Sequence, residues 1–324
     1  MCVRPPWVMD IGRARNGGRL LHGLAASYSR IKKSYWGKTV AAMDLPDIDL
    51  EGRVVIMTGA DRGLGRAMSL GLAEKGARLV LASPVMDGLN AVAEEIAAIA
   101  GPGRALAVET DITDLASCAN CLRAAVDAFG VLHVLVNNAR RLRRDSGKPE
   151  AAGHLPFWAV DPVLYRETVE VNVAGTFFMS RTVTPYFIEM GYGKIINLTT
   201  SLRNFYSVGQ SPYGVTKAAI DSSTYIWARD LKGKGVTVNA LLPGGACDNG
   251  DVNRPPEPGR ALLPADIMNP LLVWMCSARS DGATGTRFVG ALWDNSLDPD
   301  QAAAGCREDA SIRGAVARDS KVKS

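Results

Sequence analysis

Tyr213 and Lys217 stand four residues apart in the stretch Ser-Pro-Tyr-Gly-Val-Thr-Lys-Ala-Ala. On a helix, residues at i and i+4 share a face, so a phenol and an ammonium there can act on one small molecule. A cation beside a phenol favours the phenolate and draws its pKa towards working pH. Such a pair can pass a proton to or from the oxygen of an alcohol/carbonyl couple. The spacing alone is weak evidence, since Tyr28 and Lys32 repeat it in a stretch that reads as outside the fold. The weight comes from the company of Tyr213: a glycine turn after a strand, an Asn-Asn-Ala strand end, and an asparagine on a preceding helix.

The elements that must position these residues alternate along the chain. Apolar runs predict strands at 54–58, 78–82, 105–108, 132–137, 194–199, 236–242 and 286–289. Helical patterns fall between them, from the glycine turn to about 75, then at 88–100, 114–129, about 162–190, 211–231 and 265–278. Such alternation implies an α/β fold of three layers, a doubly wound, mostly parallel seven-stranded sheet between helices. Val54-Val55-Ile56-Met57 and Val134-Leu135-Val136 are unbroken apolar runs, as strands buried on both faces require. Ligands of this architecture sit beyond the carboxyl ends of the strands, where the polar and glycine-rich features fall.

The first strand runs into Thr58-Gly59-Ala60-Asp61-Arg62-Gly63-Leu64-Gly65. Glycines here allow a tight turn and a close backbone approach to a pyrophosphate, and the following helix points free N–H groups at it. A P-loop is excluded, because no Gly-Lys-Ser/Thr follows.

The Thr-Gly-x-x-x-Gly-x-Gly turn together with Tyr213-x-x-x-Lys217 resembles the single-domain, Rossmann-type short-chain dehydrogenase/reductase family. The resemblance covers about residues 50–294. It implies that Asp111 and Ile112 after the third strand meet the adenine. It implies that Asn138 and Ala139, in Asn137-Asn138-Ala139, lie beside the cofactor, and that Pro243 and Gly244 lie near the nicotinamide. It further implies a catalytic set of Asn172, Thr200, Tyr213 and Lys217. In it Tyr213 moves the proton, Lys217 lowers its pKa and holds the nicotinamide ribose, Thr200 orients the carbonyl, and Asn172 supports a proton-relaying water.

Three positions depart from the family pattern. Arg140 replaces the usual glycine after Asn-Asn-Ala, Thr200 the usual serine, and Asp248 the threonine that follows Pro-Gly. Thr200 still offers a hydroxyl, and Ser201 is its neighbour; on a strand the two would face opposite sides, and Thr200 is the choice. Arg140 opens Arg-Arg-Leu-Arg-Arg, which reads either as a solvated loop or as an anion site for a substrate carboxylate or phosphate. The end of the second strand holds Ser83-Pro84, where NAD-selective folds place an acid. With Arg62 in the glycine turn, this favours NADP(H) over NAD(H).

The substrate is a small alcohol or ketone, a 3-oxoacyl-type ketone being one case. Residues 202–206 and 245–264 are expected to shape its pocket, with Pro255-Pro256-Glu257-Pro258-Gly259 a stiffened loop. Phe157 and Trp158 either close over it or pack against the sheet. A cofactor sensor or scaffold is the competing reading, motivated by Arg140, Thr200 and Asp248. A methyltransferase would leave the Tyr–Lys pair unexplained.

Composition excludes other classes. The net charge of +4 is concentrated at the start: residues 1–43 carry eight Lys/Arg and one Asp, and the remainder is at −3. That gives no case for nucleic acid. No apolar run reaches a membrane helix. Six cysteines do not form a disulfide framework, Cys118 and Cys121 read as helix filler, and three scattered histidines offer no metal site. A reducing, cytoplasmic compartment and a homodimer or homotetramer, joined through the two long helices, are expected. Residues 1–42 read as a start-site artefact, a disordered basic arm or a transit peptide. The domain is expected over 43–295, and 296–324 as a fraying polar tail.

Overall fold

A computed structural model describes residues 44–142, 155–248 and 262–308. The expectations for residues 1–42, for Arg143 and Arg144, for the proline-rich stretch 255–259 and for the end of the tail lie outside the described residues.

Seven strands form one sheet, and every pairing is parallel. They are β1 (Val54–Thr58), β2 (Arg78–Ser83), β3 (Ala105–Glu109), β4 (Val134–Asn137), β5 (Gly193–Leu198), β6 (Val236–Leu242) and β7 (Arg287–Val289), in the order β3-β2-β1-β4-β5-β6-β7. The chain turns back at the β1/β4 junction, and a crevice opens beyond the carboxyl ends of strands at such a reversal. All five residues of β1 and all four of β4 are buried, which is why their sequences lack polar alternation.

The helices are α1 (Gly63–Glu74), α2 (Met86–Ala100), α3 (Leu115–Phe129), α4 (Pro162–Val169), α5 (Thr176–Met190), α6 (Leu202–Tyr206), α7 (Tyr213–Asp230), α8 (Asn269–Cys276) and α9 (Pro299–Gly305). Local chemistry fixes several ends. Asp114 accepts from Ala116 N at the start of α3, and Gly130 closes it in the left-handed region. Asp161 accepts from Val163 N ahead of Pro162 at the start of α4. A π-helical turn, Glu170–Gly175, joins α4 to α5, so the single helix expected over 162–190 carries one widened turn.

Two expectations need correction. The helix expected from 265 begins only at Asn269, after non-helical turns, and is eight residues long. The chain past Asn295 does not fray at once: α9 buries Ala302 and Ala303, Cys306 O accepts from Val289 N at 2.8 Å, and Arg307 bridges antiparallel to Phe288. This last segment covers part of the free edge of β7, a protection that edge strands need.

A buried polar ladder stiffens the middle of the sheet. Asn137 Nδ2 donates to Ser180 Oγ at 2.9 Å and to Asn197 Oδ1 at 2.8 Å, and Asn197 Nδ2 donates to Thr224 Oγ1 at 2.9 Å. β4, β5, α5 and α7 are thereby linked directly beneath the reactive edge, with both amide hydrogens of Asn137 satisfied.

Cys118 and Cys121 lie buried in α3, and burial pushes their thiols up to about 12 and about 11. They are inert core residues. No group of three or more His, Cys, Asp or Glu among the described residues is placed to hold a metal.

Candidate functional site

The β1/β4 junction is built from Thr58, Gly59, Asn138 and Ala139. Thr58 Oγ1 accepts from Asn138 N and Ala139 N at 3.0 Å each, and donates to Val136 O at 3.3 Å. Asn138 Nδ2 donates to the carbonyls of Thr58 and Gly59 at 2.9 Å. The side chain of Asn138 thus clamps the glycine turn to β4.

Gly59 has φ +63°, and a Cβ there would lie 2.8 Å from Ala139 Cα. At Gly65 a Cβ would meet Gly59 O at 2.0 Å. Without these glycines α1 could not begin directly against the turn. The residue before α1, Arg62, is extended and gives no side-chain cap, and the first turn of α1 holds no acid. The positive end of the helix is therefore left open to an anion, and a dinucleotide pyrophosphate fits this cradle.

Asp61 lies beside Arg62 at 3.6 Å, and Arg62 is largely exposed. Leu64 and Gly63 complete the turn. Ser83, at the end of β2, is buried and accepts from Val85 N at 3.2 Å. Asp111 accepts from Thr113 N and Oγ1 at 2.9 and 2.7 Å, and Ile112 is buried in the core. Pro243 O accepts from Ala291 N at 3.0 Å, and Gly244 turns the chain with φ +97°.

Tyr213 is the first residue of α7 and Lys217 sits one turn on, with Nζ 6.0 Å from the centre of the Tyr213 ring. Lys217 is buried and donates to Leu198 O at 2.6 Å. Burial, and then the charge of Arg140, push its pKa down to about 7. Both effects disfavour the ammonium form of Lys217.

Asn172 lies in the π-helical turn. Its Oδ1 accepts from Arg141 N at 2.7 Å, and its Nδ2 donates to Arg141 O at 3.1 Å and Thr216 Oγ1 at 3.1 Å. Both amide hydrogens are engaged, so the side chain pins the segment after β4 against α7. Thr216 Oγ1 in turn donates to Tyr213 O at 2.8 Å.

Thr200 is buried, and its Oγ1 accepts from Asn204 Nδ2 at 2.7 Å, which leaves its own hydrogen free to donate. β5 ends at Leu198, so Thr200 and Ser201 lie beyond the strand and the alternation rule does not choose between them. Ser201 instead stands at the start of α6. Arg287 of β7, absent from the sequence reading, donates to Thr200 O at 2.9 Å.

Phe157 and Trp158 are 73% and 77% exposed and meet edge to face at 5.3 Å, so they do not pack on the sheet. Asp248 N donates to Leu263 O, and Leu263 N to Ala246 O, both at 2.8 Å. The two ends of the segment after Gly244 are thus held together.

The fold places the chain among the doubly wound Rossmann proteins. A family model described as short chain dehydrogenase matches residues 53–253, and the chain belongs to that family of oxidoreductases. It is 31% identical over 268 residues to 2-dehydro-3-deoxy-D-gluconate 5-dehydrogenase of Dickeya dadantii (strain 3937), covering 78% of this chain and 99% of the relative. It is 35% identical over 217 residues to an NADPH-dependent aldehyde reductase-like protein, chloroplastic, of Arabidopsis thaliana, covering 64% and 77%. Among solved structures, 3-ketoacyl-(acyl-carrier-protein) reductase from Brucella melitensis, complexed with NADH, is similar with a TM-score of 0.65 at 28% identity, covering 74% and 96%.

Proposed function

We propose that this protein is an NADP(H)-preferring oxidoreductase that moves a hydride between the cofactor and a secondary alcohol or ketone, with Tyr213 as general acid and base. The observation that carries this reading is the placement of Tyr213 and Lys217 on one face of α7, 6.0 Å from Nζ to ring centre, with Thr200 and Asn172 on the neighbouring segments. The nicotinamide supplies the hydride. Tyr213 gives its proton to the substrate oxygen, and Thr200, whose oxygen already accepts from Asn204, donates its hydroxyl hydrogen to that oxygen. Lys217 holds the ribose and, when protonated, lowers the pKa of Tyr213. Asn172 keeps the segment after β4 in register with α7.

The glycine cradle, Asp111, Asn138 and Gly244 hold the dinucleotide. The NADP(H) preference rests on Arg62 in the turn and on Ser83 where an acid would repel a 2′-phosphate. The relatives include an NADPH-dependent reductase-like protein and a reductase seen with NADH, so both cofactors belong in the test. A sugar-acid dehydrogenase and an oxoacyl reductase among them place oxo acids and 3-oxoacyl thioesters in the panel.

Assembly as a homodimer or homotetramer is supported by the apolar side chains exposed on the long helices, including Val163 and Tyr165 on α4, Phe177 on α5, and Val215 and Ile226 on α7. A cytoplasmic setting is supported by the five free cysteines among the described residues. No helix of the described residues is long and apolar enough to cross a membrane.

The test is NADPH and NADH oxidation against ketones, aldehydes, oxo acids and acyl thioesters, with Tyr213→Phe alongside. Turnover that vanishes in the variant supports the reductase. Cofactor binding without turnover across the panel favours the second reading, a cofactor sensor, which the lowered pKa of Lys217 also motivates.

A further inference from the structure

Resting on the reductase reading above, we infer that Arg140 is a specificity-determining anion clamp, so that the substrate carries a carboxylate beside the carbonyl that Tyr213 protonates.

Arg140 is held between two anchored neighbours. Ala139 N donates to Thr58 Oγ1 at 3.0 Å, and the backbone of Arg141 is gripped on both sides by the Asn172 side chain. The backbone that carries Arg140 therefore has little freedom, and its side chain leaves from a fixed point at the carboxyl end of β4. Next to it, Arg141 is committed to Glu167 at 2.6 Å. Arg140 is half-buried and has neither a hydrogen bond nor an ion pair with any other described residue.

A half-buried guanidinium without an acceptor is costly, and water alone satisfies it poorly. Its charge also reaches Lys217, lowering the pKa there with no acid among the described residues to offset it. Arg140 and, when protonated, Lys217 therefore bear on one region at the reacting edge, and neither has a carboxylate partner among the described residues. A ligand anion completes that arrangement. The planar fork of one arginine holds a carboxylate bidentately, with one positive charge matched to one negative. The bound anion also favours the charged form of Lys217, so substrate binding restores the ammonium that Tyr213 works beside.

The experiment compares levulinate with methyl levulinate and acetoacetate with ethyl acetoacetate, in the wild-type protein and in Arg140→Gln and Arg140→Lys. The expected result is an acid-to-ester ratio of kcat/KM of roughly tenfold or more in the wild type. In Arg140→Gln this ratio falls about tenfold through the KM of the acid, Arg140→Lys recovers part of it, and the Kd for NADPH stays within about twofold, in line with one lost charge-assisted pair. An unchanged ratio in Arg140→Gln overturns the proposal. So does a large rise in the Kd for NADPH with no change in the ratio, which would give Arg140 to the cofactor. Calorimetric titration of the NADPH-loaded protein with levulinate separates the two readings. Carboxylate binding that Arg140→Gln abolishes, with no ketone turned over, keeps the clamp and removes the reductase. Turnover of neutral ketones with no carboxylate binding keeps the reductase and removes the clamp.

Discussion

Arg287 on β7 donates from Nη2 to the main-chain oxygen of Thr200 at 2.9 Å, and its Nη1 pairs with Asp221 of α7. The guanidinium is buried and lies 5.4 Å from the centre of the Phe205 ring. One side chain therefore ties the last strand, the helix that carries Tyr213, and the residue that presents the Thr200 hydroxyl. Arg287→Met leaves Asp221 without its cation, and the expected loss is about 3 kcal/mol of unfolding free energy, measured by urea titration. The double variant with Asp221→Leu should recover part of that loss. A single variant as stable as the wild type would show that the pair does not hold these elements together.

On the proposed mechanism, Tyr213→Phe removes the proton donor and little else. Loss of a general acid lowers kcat by about 10²- to 10⁴-fold, while the Kd for NADPH should stay within about threefold. Steady-state rates and a fluorescence titration of the cofactor check the two halves separately. Turnover near wild type would take Tyr213 out of the proton transfer.

On the proposed mechanism, Lys217 ties activity to pH. Its pKa in the folded protein is about 7, below the ordinary 10.5, so the ammonium is present below pH 7 and lost as pH rises through it. Ketone reduction should therefore decline with a midpoint near 7 on the alkaline side. Removing the neighbouring cation in Arg140→Gln should move that midpoint upward. The same shift affects stability. Between about pH 7 and 10.5 the unfolded chain binds more protons than the folded one, so this group makes stability rise with pH across that window. Each unit of depression corresponds to about 1.4 kcal/mol, so Lys217→Met should flatten the rise by a few kcal/mol. The slope is the readout, because the variant also leaves Leu198 O without its donor. Identical slopes in the two proteins would contradict the assignment.

Gly65→Ala tests the cradle. The added Cβ would sit 2.0 Å from Gly59 O, a backbone atom that cannot step aside. The start of α1 must move away from the turn, and cofactor affinity should fall by roughly tenfold or more, given that each 1.4 kcal/mol is tenfold. Wild-type binding of NADPH in this variant would mean that the cofactor does not rely on the close contact.

The proposed NADP(H) preference can be tested at Arg62. It is exposed and lies beside Asp61, so its replacement should cost little stability. Arg62→Ala should raise the KM for NADPH by about tenfold and leave that for NADH nearly unchanged, because only the former carries the 2′-phosphate. Equal effects on both would assign Arg62 to the shared pyrophosphate.

Much of this was legible along the chain because parallel strands are coded locally. Val54–Met57 and Val134–Val136 are apolar without interruption, and β1 spans the very residues expected. The glycine turn was legible for the same reason, since close backbone approach leaves only one residue type. What stayed hidden depends on partners distant in sequence. Arg287 looks like any strand-end arginine until β7 docks beside β6 and brings it under Thr200. The ladder from Asn137 through Asn197 to Thr224 needs three elements in place before any of its bonds exist. The lowered pKa of Lys217 is likewise a property of burial. The segment past Asn295 reads as a fraying tail because alanine carries little periodic signal, yet Ala302 and Ala303 are buried.

The widened turn at Glu170–Gly175 has a consequence for how this helix tolerates length change. A π turn holds about one residue more than the α turn it replaces. Deleting Val171 would let the flanking segments run on as one regular helix, and the segment upstream would keep its side towards the protein, because an α turn then spans the rotation that the wider turn spanned. What would change is the widened turn itself, where Asn172 grips Arg141. The surplus residue is thus absorbed locally: the start and the end of the helix keep one alignment, and the distortion is confined to the turn that carries Asn172.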